Sequence, residues 1–122
     1  MGLSNARTMT RYIGSAAVID CLDVKLNEEL TIQAWGEELN SIVANLPKDK
    51  DRVVVNFQSV KFMSSSALRV LITLNAKAKA QKVALFLCSI CPNIMEVFKI
   101  TKLDSIFKIR STELEAVSSL LK

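Results

Sequence analysis

Two runs leave this chain little freedom in how it folds: Val53-Val54-Val55 and residues 83–87 are apolar at every position. A strand with one face in water alternates apolar and polar residues, so an unbroken apolar run predicts a strand buried on both faces. Strands of that kind pair in parallel, and a parallel pair needs a long crossover between its members. The segment joining the two runs has a helical period, which makes it such a crossover.

The rest of the chain is consistent with that core. Residues Thr8–Ile13 and 16–22 flank Gly14-Ser15 and predict an antiparallel hairpin. From Asn27 the period changes, and Leu30, Trp35, Leu39, Ile42, Val43 and Leu46 fall on one helical face. Asn27 is the expected N-cap, with Glu28 and Glu29 in the first turn, and Pro47 follows the end. Residues 48–52 are charged and read as a loop. A second helix is expected over residues 66–81. Its apolar residues Ala67, Leu68, Val70, Leu71, Ile72 and Leu74 span a wide arc. Burial between the sheet and a neighbouring helix explains that arc, and a partner surface is the other reading.

Residues 91–98 predict a third helix with Pro92 in its first turn, and residues 106–109 a minor edge strand. Residues 112–121 predict a last helix with Thr112 as cap and Leu114, Val117, Leu120 and Leu121 as its apolar face. The expected fold class is α/β. A mixed central sheet of four to five strands, opened by the hairpin, carries four helices in one domain over residues 7–122, after a loose start over residues 1–6.

Several kinds of chemistry are excluded by composition. The chain has no histidine, which removes Ser-His-Asp and Cys-His catalysis. Its three glycines, Gly2, Gly14 and Gly36, form no phosphate loop. Cys21, Cys88 and Cys91 are odd in number, and Cys21 and Cys88 lie in apolar runs where a thiol acts as a small hydrophobe. A zinc site at Cys88-x-x-Cys91 would need carboxylates or a second chain to complete it. No metal or cofactor is therefore expected. No apolar stretch reaches the roughly 18–20 residues of a membrane span, so a soluble, cytoplasmic protein is expected. The net charge of +4 is uneven, with an acidic stretch through Glu38 and a basic half from Arg69 to Arg110. The basic half reads as a solvated face rather than a nucleic-acid platform.

Ser64, Ser65 and Ser66 stand at the mouth of the second helix. The first turn of a helix offers unpaired N–H groups and the positive end of the macrodipole, so a phosphoryl group added there is held by the backbone. Serine is also among the best N-caps, and on its own the cluster reads first as capping.

Two blocks resolve the choice by resemblance. The first runs from Val54-Val55-Asn56-Phe57 to Phe62-Met63-Ser64-Ser65-Ser66-Ala67-Leu68. The second is Phe86-Leu87-Cys88-Ser89-Ile90-Cys91-Pro92, continuing from Val97 through Lys102 to Phe107. In this order and spacing the chain, from about Ile19 to its last helix, resembles a STAS domain of the anti-sigma-factor antagonist family. Ser64 replaces the family's acidic residue before the switch serine, Ala67 replaces the glycine after it, and Lys102 replaces a later glycine.

The resemblance implies a non-enzymatic regulator that binds an anti-sigma factor with serine-kinase activity and is phosphorylated at Ser65, with Ser64 and Ser66 as lesser candidates. It places the partner on Asp23, Phe62, Met63, Ser64, Ser65 and Ser66. The isolated protein is expected as a monomer or weak homodimer that touches neither nucleic acid nor membrane directly. The alternative is an unphosphorylated subunit docked on a membrane transporter or within a signalling assembly.

Overall fold

The computed structural model describes residues 6–119. Residues 1–5, expected to be loose, and Leu120 and Leu121, expected on the last helix, lie outside that range. Strands β1 (Thr8–Ile13) and β2 (Ala16–Cys21) form the hairpin, turning at Gly14, whose positive φ suits the tight connection. β3 (Lys25–Leu26), α1 (Glu29–Ala44), β4 (Arg52–Asn56), β5 (Phe62–Met63) and α2 (Ser65–Ala80) follow. The chain continues through β6 (Ala84–Cys88), α3 (Pro92–Ile100), a 3₁₀ turn (Leu103–Ser105), β7 (Lys108–Arg110) and α4 (Glu113–Ser118).

The main sheet has five strands in the order β1-β2-β4-β6-β7, antiparallel only at the hairpin. This is the expected mixed α/β sheet. β4 lies at its centre, and every residue from Arg52 to Asn56 is buried. Side chains alternate between faces. Ile19, Cys21, Val53, Val55, Leu85 and Leu87 enter the larger core, beneath Trp35 and Leu39 of α1, Leu71 and Leu74 of α2, and Phe98 of α3. Ala16, Val18, Val54, Phe86 and Cys88 face the other way, where Ala116 of α4 packs on them.

Burial sets the chemistry of the two strand thiols. It pushes the Cys21 thiol up to about 12, against the Trp35 Nε1–H that donates to its Sγ at 3.3 Å. Burial likewise raises Cys88, to about 11. Both are therefore held as unreactive thiols near neutral pH.

Several expectations need correction. α1 is capped at Glu28 rather than Asn27, because β3 runs through Leu26 and Ile32 N–H donates to the Glu28 carbonyl to begin the helix. Leu30 is 80% exposed; the buried face is Ile32, Trp35, Gly36, Leu39 and Val43, and Leu30 sits two residues, or about 200° of helix, from Ile32. Arg52 is a strand residue rather than part of a loop. β6 and β7 each end one residue later than expected. α4 stops at Ser118, and Leu114 is 75% exposed while Ala116 is buried.

With a single alanine fully buried, α4 is held mainly by polar contacts. Thr112 Oγ1 accepts Glu115 N–H, and Arg52 Nη1 donates to the carbonyls of Ala116, Val117 and Ser119, taking up acceptors that the helix end leaves open. No helix among the described residues is long and apolar enough to cross a membrane.

Candidate functional site

The serine cluster is positioned by a short scaffold that the sequence did not announce. After β4, Phe57 and Val60 are fully buried and pin the turn, helped by Gln58 N–H to Asn56 Oδ1 at 3.0 Å. The chain then meets the segment after β2. Val24 O accepts Lys61 N–H at 2.7 Å, β3 and β5 pair in parallel as Lys25 with Phe62 and Leu26 with Met63, and Leu26 O accepts Ser64 N–H at 3.0 Å. These few bonds fix where α2 begins. Strands of two residues carry no periodicity, which is why sequence reading passed over them.

α2 has Ser64 as its N-cap, and Ser65 and Ser66 as its first two residues. The Ser64 carbonyl accepts the N–H groups of Ala67 and Leu68, whereas its Oγ makes no cap bond and is buried without a partner. Ser65 is exposed and Ser66 partly so. The three serines are thus unequal in exposure, with Ser65 the most open of them. The buried side of α2, from Ala67 and Leu68 through Leu71, Leu74 and Ala78, faces the core. α1 lies close against α2 because position 36 is glycine: a Cβ there would sit 3.2 Å from Val70 Cγ1.

The other expected site residues divide. Phe62 is 50% exposed beside the serines, while Met63 is buried with only a little surface. Both line a groove of about 140 Å³ with Lys61, Leu68, Asn93, Ile94 and Val97. The α3 contribution was missed, although Ile94 and Val97 at helical spacing were its signal. Asp23 directly precedes Val24, whose carbonyl anchors Lys61, so it belongs to the same edge. Its carboxylate, however, pairs with Arg7 Nη1 at 2.9 Å.

A second polar cluster, also missed, lies at the carboxyl ends of the parallel strands. Arg11 Nε and Nη2 donate to Asp20 at 2.7 and 2.8 Å, and its Nη2 and Nη1 donate to Glu113 at 2.6 and 3.2 Å. Asn56 Nδ2 bridges both acids, at 3.0 and 3.3 Å. These hydrogen bonds, Asp20's foremost, hold the guanidinium proton more firmly than usual. The cluster ties β1 to α4 beneath a cleft of about 450 Å³ that Gln58 and Ser59 complete. Among the described residues no group of three or more His, Cys, Asp or Glu is placed to hold a metal ion.

A five-stranded mixed sheet with helices on both faces, and a serine-bearing helix start propped by a two-stranded annex, defines an α/β module built to present a surface. The chain belongs to the STAS domain family, whose sequence model matches residues 14–116. It is similar to BtrV of Bordetella bronchiseptica, named as a candidate anti-sigma factor antagonist, with 29% identity over 105 residues that cover 86% of each chain. Among solved structures it is similar to an anti-sigma-factor antagonist (STAS) domain protein of Planctomyces limnophilus. That match has a TM-score of 0.79 and 21% identity, covering 93% of this chain and 97% of the other. It is also similar to the Bacillus cell fate determinant SpoIIAA in its phosphorylated form, with a TM-score of 0.65 and 17% identity over 90% of this chain and 96% of that one.

Proposed function

We propose that this protein is an anti-sigma-factor antagonist. It binds an anti-sigma factor with serine-kinase activity through the surface around the start of α2, in the cytoplasm, and is released when Ser65 is phosphorylated. The observation that carries this reading is the exposure of Ser65 at the first position of α2, between a partly covered Ser66 and a Ser64 whose Oγ is buried. Similarity to BtrV supports the partner class.

In the reaction the Ser65 Oγ takes the γ-phosphoryl group of ATP. A P–O bond forms at Oγ as the bond to the β-phosphate oxygen breaks, the hydroxyl proton leaves to a base or to water, and ADP departs. The product carries about −1.5 to −2 charges at neutral pH. The helix start accommodates that charge, so its effect falls on the partner through repulsion, bulk and desolvation at Phe62, Ser65 and Ser66, while the fold is retained. Incubation with the candidate kinase and ATP, followed by mass spectrometric mapping, tests the switch. Phosphate on Ser65 is expected, and its absence from Ser64, Ser65 and Ser66 rejects it.

A second reading is an unphosphorylated subunit of a transporter or signalling assembly. It is favoured by the lack of any acidic residue in the first turn of α2, where Ser64 stands in place of the family's acid. Purification from native cells separates the two: recovery with a soluble kinase supports the first, and recovery within a membrane or multi-subunit complex supports the second.

A further inference from the structure

α2 is unusual in its charges. From Ser65 to Ala80 it carries Arg69, Lys77 and Lys79 and no acidic residue, and Arg69 is its only charge before the last turn. On a helix, a side chain can meet those three and four residues away. For Arg69 these are Ser66 and Ser65 on one side and Ile72 and Thr73 on the other, none of them a carboxylate. Arg69 and Ser65 are both exposed. Long side chains on a helix also lean back toward its N-terminus, so the surface that Arg69 sweeps is the turn containing Ser65.

We propose that Arg69 holds the phosphate on Ser65 within the chain, as a positioning residue for the modified state. The guanidinium offers a planar fork of N–H donors to the phosphate oxygens, and the first-turn amides approach the same group from the backbone side. Phosphorylation then changes the partner surface twice: it adds a dianion, and it engages an arginine that the unmodified form leaves available to a partner's carboxylate. This extends the phosphorylation reading above and rests on Ser65 as the modified residue.

The test does not need the kinase. Phosphoserine is installed at position 65 during translation, and the second ionisation of the phosphate is followed by phosphorus NMR against pH. Wild type is compared with Arg69→Gln and Arg69→Lys. Lys25 on β3, Lys61 before β5, and Glu28 and Glu29 at the head of α1 are common to the three proteins, so the difference between them reads Arg69 alone.

The acid dissociation constant is expected to be about two- to threefold larger in wild type than in Arg69→Gln, the scale of an exposed helical ion pair. Arg69→Lys is expected to fall between them, and the difference should shrink at high salt. Equal constants in wild type and Arg69→Gln overturn the proposal, as does a shift that Lys25→Gln or Lys61→Gln reproduces while Arg69→Gln does not. A kinase that never modifies Ser65 would defeat the functional reading and leave this result standing.

Discussion

Replacing Arg52 with methionine tests what holds the last helix. The Arg52 residue is 7% exposed, and its Nη1 serves three carbonyls at the end of α4: Ala116 at 3.4 Å, Val117 at 2.9 Å, and Ser119. Its Nε pairs with Asp51 at 3.0 Å, and its guanidinium lies 5.7 Å from the Phe86 ring centroid. Methionine keeps an unbranched apolar stem but removes the guanidinium that lies over Phe86 and leaves those carbonyls without its donor. A hydrogen bond to a charged group contributes about 1.5–3 kcal/mol. The three bonds share one nitrogen and are not additive, so Arg52→Met is expected to cost about 2–4 kcal/mol. With a urea m-value of about 2 kcal/mol/M, the middle of the usual range for a small domain, the midpoint should fall by roughly 1–2 M. The α4 amides should lose hydrogen-exchange protection before those of β4. Asp51→Asn is the control, because that pair is half exposed and contributes little. A midpoint shift below about 0.3 M for Arg52→Met, or an equal fall for Asp51→Asn, would refute the account.

Other consequences are open to simple measurement. In the native protein at pH 8 a thiol reagent should label Cys91 alone, since burial raises Cys21 to about 12 and Cys88 to about 11; all three should react once the chain is unfolded, and rapid native labelling of Cys21 would contradict its burial. Lys102 has φ +62°, so Lys102→Gly should relieve left-handed strain and stabilise by about 0.5–1 kcal/mol, read as a rise in Tm. The Asp51 carboxyl is held below its ordinary 3.8, chiefly by the Arg52 hydrogen bond. A depressed folded value gives stability that is present above 3.8 and lost as pH falls through the lower folded value. Asp51→Asn should therefore flatten the acid limb of the stability profile, by no more than about 0.5 kcal/mol because the group is solvent-screened.

What could be read from the sequence, and what could not, follows from the range of the interactions involved. Val53, Val54 and Val55 declared a buried strand because burial on both faces needs apolar residues in succession, and with it came the parallel sheet and the crossover helices. Arg52 was misassigned because its acceptors, the α4 carbonyls, lie more than sixty residues away, and charge alone suggested a loop. Leu114 was misplaced for the same reason: Arg11 and Arg52 anchor α4 by polar contacts, and no apolar period can disclose them. At the site, the position of the serines at the head of α2 was legible. Their unequal exposure was not, because it depends on the β3–β5 pairing and on Leu26 O receiving Ser64 N–H.

The single cover on the second sheet face has a consequence for the newborn chain. Val18, Val54 and Phe86 are made well before α4, whose Ala116 and Val117 pack against them. At about 5–20 residues per second, roughly thirty residues separate Phe86 from the end of α4, an interval of about two to six seconds on the ribosome. During that interval a half-clad sheet presents an apolar wall to its surroundings. Substitutions that loosen α4 would then lower the yield of folded protein in cells by more than their equilibrium cost implies, and added chaperone would restore it.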